Sequence, residues 1–169
     1  QSLAAMTSVA ILPQLGASLA GVVASGQWRR VLDYDLAAYA EAFGSVVWLS
    51  YGTGDEAVWL GSDAFSILAP RRRCPPLVWS LAAPTRRLPL REASVLRVWN
   101  LSGVFPALIA HAHWGRPYVL QVGYDHVAGA RALGKGWKGP AIRALRRIAA
   151  RWADLVFVPS FGMAERWGL

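Results

Sequence analysis

Short apolar runs recur along the chain, each closed by proline, glycine or a polar turn. SVAIL at 8–12 ends at Pro13, VVWL at 46–49 runs into YGTGD, and FSIL at 65–68 stops before Pro70. SVLRVW at 94–99, YVLQV at 118–122 and LVFV at 155–158 repeat the form. Runs this short and this rich in β-branched residues predict buried strands of a parallel sheet. Between them the period changes. Over 28–43 the apolar positions Leu32, Leu36, Tyr39, Ala40 and Phe43 recur at helical spacing, and Gly44 marks the stop. A helix apolar nearly all round, hence buried, is predicted at 103–114. Another is predicted at 140–153 with proline near its first turn, and a last one begins at Phe161. QLGASLAG, after the first run, reads as a turn. Residues 71–92, with three consecutive arginines and several prolines, read as an irregular crossing with a short helix near 77–83. Strands alternating with helices, without repeat or linker, predict one doubly wound, mostly parallel, Rossmann-like α/β domain over residues 1–169.

Composition narrows the partners. Hydrophobic residues make up 54% of the chain and charged ones 17%, which excludes a disordered segment. The single cysteine, Cys74, excludes an internal disulfide and suits a reducing compartment. Eighteen Lys and Arg against ten Asp and Glu leave a net charge of +8, which favours an anionic partner. Nine tryptophans beside that charge favour a membrane surface, where indole and cationic side chains both sit well. The charge-free first 28 residues lack a basic flank and are interrupted by Pro13 and Gln14. They read as a buried strand and turn rather than a targeting or spanning segment. Gln1 to Ala5 read as an addition ahead of a native start at Met6.

In a parallel sheet the loops after the strands fall along one edge, where ligands bind. Those loops carry Gln14 to Ala17, Asn100 to Gly103, Gly123-Tyr124-Asp125-His126, and Ser160. Glycines such as Gly16, Gly103 and Gly123 let backbone N–H groups approach an oxygen-rich ligand, and Asn100 and Tyr124 add polar and aromatic contacts. Asn100 and Ser160 also suit simple helix capping. Asp125 and His126 are adjacent ionisable groups, either of which can serve as general base towards an acceptor hydroxyl. The following helix puts Ile142, Leu145, Ile148, Ala149 and Trp152 on one face. Arg143, Arg146, Arg147 and Arg151 fall on the other, with Arg131, Lys135 and Lys138 in the loop before. That patch suits anionic lipid, at roughly 1 kcal/mol per cation near the surface, or a plain solvated face.

Other motifs are weak. His111 and His113, two apart on a helix, point apart and predict no shared metal. No GxGxxG follows the first strand and no Walker lysine is present, which disfavours a dinucleotide enzyme or P-loop NTPase. Without a helix-turn-helix, RRM or OB pattern, no nucleic-acid partner is expected despite the charge.

SVLRVWNLSGVFPALIAHAHWGRPYVLQVGYD and IAARWADLVFVPS resemble the N-terminal half of GT-B fold glycosyltransferases, in the family-4-like group of bacterial cell-surface and glycolipid enzymes. The A-x-x-A-D-x-V-x-x-x-S pattern of that group is met by Ala149 or Ala150 through Ser160. The likeness runs from Ser8 to Leu169 and is strongest from Ser94. It implies two facing Rossmann-like domains in a complete enzyme. This half would take a lipid-linked or envelope glycan acceptor, often at the membrane. The other, absent here, would hold the nucleotide-sugar donor with a Glu-x7-Glu motif, so no cofactor is expected in this domain. Where many members end the fifth strand with histidine, this chain has Gly123-Tyr124-Asp125 and then His126. A cytoplasmic protein on the inner membrane face is the implied setting. The competing reading is a non-catalytic α/β module that recruits a partner to the membrane.

Overall fold

The computed structural model describes residues 7–58 and 62–168. The proposed addition before Met6, and Leu169, lie outside the described residues. Six strands form one sheet: β1 (Ser8–Leu12), β2 (Ser45–Leu49), β3 (Phe65–Leu68), β4 (Val95–Val98), β5 (Tyr118–Gln121) and β6 (Leu155–Phe157). Every pairing is parallel, in the order β3-β2-β1-β4-β5-β6. This is a doubly wound α/β fold of Rossmann-like order.

Helices flank the sheet unequally. After β1 come α1 (Leu19–Ala24), α2 (Trp28–Arg30), a π-helical turn (Val31–Leu36) and α3 (Ala37–Phe43). They place Leu19, Val31 and Leu36 against Val9, Ile11, Val46 and Trp48, closing one face over β1 and β2. The opposite face takes the rest: α4 (Pro76–Arg86), α5 (Leu88–Glu92), α6 (Val104–Trp114), α8 (Gly139–Trp152) and α9 (Phe161–Trp167). There Ala10, Leu49, Leu96, Val98 and Leu120 meet Ala83, Leu90, Ala107 and Ala149 in the main core. Alternate residues of each strand thus feed two different cores, as the period of two requires. Between β5 and α8 lies α7 (His126–Ala132). Among the described residues no helix is long and apolar enough to cross a membrane.

Three expectations are corrected. Residues 14–21 are not only a turn: Ser18 caps α1 by accepting from the Gly21 amide at 3.0 Å. Residues 71–92 are not irregular, because Pro76 sits in the first turn of α4, where its missing N–H is harmless. Pro84 near the end of α4 is tolerated on the buried face, and α5 follows directly. The loop expected at Asp125 and His126 is the start of α7.

Candidate functional site

The carboxyl edge is assembled as two groups. In the first, the loops after β1 and β4 touch. The Leu15 amide donates to Ser102 Oγ at 3.3 Å, and Gly103 lies so close to the Pro13 carbonyl that a Cβ there would collide. Gly16 holds a left-handed φ of +85° against Pro76, and Ala17 accepts from the Tyr51 amide at 3.0 Å. The Asn100 side chain accepts from its neighbour, the Leu101 amide, at 2.8 Å, so its oxygen caps a short 3-10 turn.

The second group is built on β5. Gly123 and Tyr124 are exposed, with open space where a Gly123 side chain would be. Asp125 caps α7, accepting from the Val127 and Ala128 amides at 3.0 and 3.2 Å. Arg166 of α9 adds an ion pair at 3.7 Å. The Ala128 amide first, then the Val127 amide and the nearby arginines, hold the carboxyl below its ordinary range despite some desolvation. A carboxylate so stabilised is a poor proton acceptor. His126 stacks on Tyr124 with ring centroids 4.1 Å apart, and its Nε2 is enclosed without a partner. Burial pushes its pKa below 6.5, only partly opposed by Asp125, so the ring is neutral near pH 7. Ser160 caps α9 through the Met163 amide at 3.3 Å. Among the described residues no hydrogen bond or ion pair joins the two groups.

The pKa of His126 fixes a pH dependence. Folding favours its neutral form, so its contribution is complete above the unfolded value of 6.5 and is lost as pH falls through it. His126→Gln is expected to flatten the stability profile between about pH 7.5 and 5. Urea midpoints across that range check this; an unaltered slope would contradict it.

The basic residues divide by surroundings. Arg131, Lys135, Lys138, Arg147 and Arg151 are exposed, whereas Arg143 and Arg146 are half-buried. The Arg146 guanidinium lies 5.5 Å from the Trp167 ring, tying α8 to α9 rather than facing solvent. On the other side of α8, Ile142, Leu145 and Ile148 join Phe105 and Trp137 around an apolar groove of about 540 Å³. Trp137 is 77% exposed beside Lys138. The helical face expected to be packed is therefore partly open, and the cations edge it.

The sequence reading missed a buried polar knot at the end of β2. The Leu19 amide donates to Asp55 Oδ2 at 2.8 Å, the Ser50 hydroxyl donates to the same oxygen, and both residues are buried. Trp79 Nε1 donates to the Ser50 carbonyl at 2.9 Å. The one local signal was a GDE turn five residues after a strand. His111 and His113 each use Nδ1 on a backbone carbonyl, of Arg116 and Ile109 respectively. Among the described residues no group of three His, Cys, Asp or Glu could hold a metal.

Compared with known proteins, the chain matches no family model and no curated sequence. The functional reading therefore rests on the residues and their geometry.

Proposed function

We propose that this chain is the acceptor-binding half of a GT-B glycosyltransferase that moves a sugar from a nucleotide-sugar onto a lipid-linked or envelope polysaccharide acceptor. The observation that carries the reading is the carboxyl edge of a doubly wound sheet, with Gly16, Asn100, Gly123 and Tyr124 along it. Open α/β sheets bind ligands at that edge. The exposed Tyr124 ring offers a face on which a sugar ring can rest, and Gly123 leaves its backbone accessible. His126, neutral near pH 7, is the candidate to take the acceptor hydroxyl proton once its Nε2 is uncovered; Asp125 then positions α7 rather than acting as base. The donor diphosphate would be stabilised by the second domain, so this half contributes positioning and exclusion of water.

Chemical-shift titration tests this. Lipid-linked oligosaccharides should shift the amides of Gly16, Gly123 and Tyr124, whereas UDP- and GDP-sugars should leave them still. Donor binding at those amides, or silence with every acceptor, overturns the reading.

The membrane side gives a separate expectation. The open groove, Trp137 and the exposed cations together favour adsorption to anionic bilayers. Co-sedimentation with vesicles containing an anionic phospholipid should fall as salt rises and weaken about tenfold in Trp137→Ser. Equal binding to neutral vesicles would refute it. A second reading, the recruiting module without catalysis, is favoured by the commitment of Asp125 to capping and by the enclosed Nε2 of His126. Vesicle binding without any acceptor titration would select it.

A further inference from the structure

Among the described residues, no helix covers one face of β5 and β6. Over β1, β2 and part of β4 that face is closed by α1 to α3, on which Val95 and Trp99 pack, but the helices that follow β4, β5 and β6 pack on the opposite side. Arg97, Val119 and Leu155 form one cross-strand row on the bare side, and Gln121 and Phe157 the next. Leu155 and Phe157 are 49% and 50% exposed. All-parallel sheets are ordinarily covered on both faces. Beside the rows a groove of about 320 Å³ separates the sheet from α1 and the π-helical turn, with Val22, Val31, Asp35 and Trp99 on its walls.

The charge on this face is also incomplete. Arg97 Nε donates to the Tyr39 hydroxyl at 2.9 Å and Nη2 to Gln121 Oε1 at 2.7 Å, while Phe157 lies over the guanidinium at 5.1 Å. Nη1 is buried without a partner, and no carboxylate pairs with Arg97 among the described residues. Asp35 lines the groove without reaching it, and Arg30, on the same groove, adds a second positive charge. A guanidinium stays charged in any protein environment. Covering one with apolar surface is costly unless an acid arrives with the cover.

We propose that this face receives an amphipathic α-helix of a partner polypeptide, its apolar stripe on Val119, Leu155 and Phe157 and one carboxylate within the stripe directed at Arg97. Among the described residues, the helices of a second copy that carry acids already have their apolar residues in the cores: Leu36 beside Asp35 and Glu41, and Leu90 beside Glu92. Its strongly amphipathic helix, α8, carries arginines and no acid. Glu165 lies on α9, whose Met163 and Trp167 are already in the core. The proposal concerns the flat of the sheet, not its carboxyl edge, and holds whether or not the domain handles sugars.

The probe is a fluorescein-labelled amphipathic peptide of about 18 residues, roughly five turns, with a leucine stripe and one central glutamate. Anisotropy should rise with added protein, and replacing the peptide glutamate by glutamine should weaken binding about tenfold. Phe157→Asp, at a half-exposed site that leaves the fold intact by circular dichroism, should abolish binding. Arg97→Met should erase the preference for glutamate over glutamine. No binding, equal binding of the two peptides, unchanged binding by Phe157→Asp, or a sedimenting homodimer that Phe157→Asp dissociates would each overturn the proposal.

Discussion

Gly103→Ala is expected to destabilise the domain by about 3 kcal/mol, whereas Gly123→Ala should stay within about 0.5 kcal/mol. Both glycines lie in loops that follow strands, but Gly103 is buried and Gly123 is exposed. Their surroundings separate them. A Cβ on Gly103 would meet the Pro13 carbonyl, with its carbon at 2.9 Å and the Leu12 oxygen at 3.0 Å. These are backbone atoms of the central strand and its exit, so they cannot swing aside as a side chain would. The backbone of Gly103 has a φ of −84°, which any residue can adopt, so the constraint is steric and not conformational. Around Gly123 nothing lies within 4 Å. Thermal melts should show a drop of roughly 10 °C for the first variant and almost none for the second. Equal melting temperatures would mean that the β1 and β4 loops are not in contact. If Gly123→Ala folds normally yet loses acceptor-induced shifts, the close approach of a ligand to that backbone is established separately from stability.

Asp55→Ala should cost about 3 kcal/mol as well, by a different route. The carboxylate accepts from the first amide of α1 and from the Ser50 hydroxyl, and Asp55 is buried. Alanine would leave the Ser50 hydroxyl without its acceptor and the Leu19 amide with only the longer bond to Ser50 Oγ at 3.3 Å, and an unpaired buried donor costs more than a net hydrogen bond returns. A side chain on Gly52 would strike the same carboxylate, so the Gly-x-x-Asp turn is fitted around one acid. Asp55→Asn keeps an acceptor and should lose less. Urea midpoints, with hydrogen exchange at the Leu19 amide, read both effects. A slowly exchanging Leu19 amide in Asp55→Ala would show that the knot does not hold α1.

The strands were legible because a parallel strand buried on both faces is written as an unbroken apolar word. SVAIL and FSIL match β1 and β3 residue for residue, and each of the other four differs by one or two residues. The basic helix at 140–153 appears as Gly139–Trp152. Proline misled the reading of 71–92. At a first turn it permits a helix, and inside one it is tolerated when the packing is good; neither outcome is visible in a residue count. The start of α1 was hidden because its cap, Ser18, lies in a glycine-containing stretch that also spells a turn. The site was legible only as a list. Asn100 and Ser160 are caps that local spacing foretells. Asp55 meets Leu19 across 36 residues, and Gly103 meets Pro13 through the sheet, so no window of sequence holds either pair. The uncovered face of β5 and β6 could not have been read at all. An apolar strand residue looks the same whether a helix covers it or not.

The strand order also has a consequence for biosynthesis. β1 is central, flanked by β2 and β4, and the Ser8 amide reaches the Ser94 hydroxyl 86 residues later. At ordinary translation speeds, a separation of that size takes roughly 4–17 s to span. During that interval β1 can pair on its β2 side alone, and its other edge stays open to solvent and to neighbouring nascent chains. The emerging protein therefore passes through a window in which its central strand is half-paired. Ribosome-associated chaperones should be needed most between the appearance of β2 and that of β4, and little once β5 has joined.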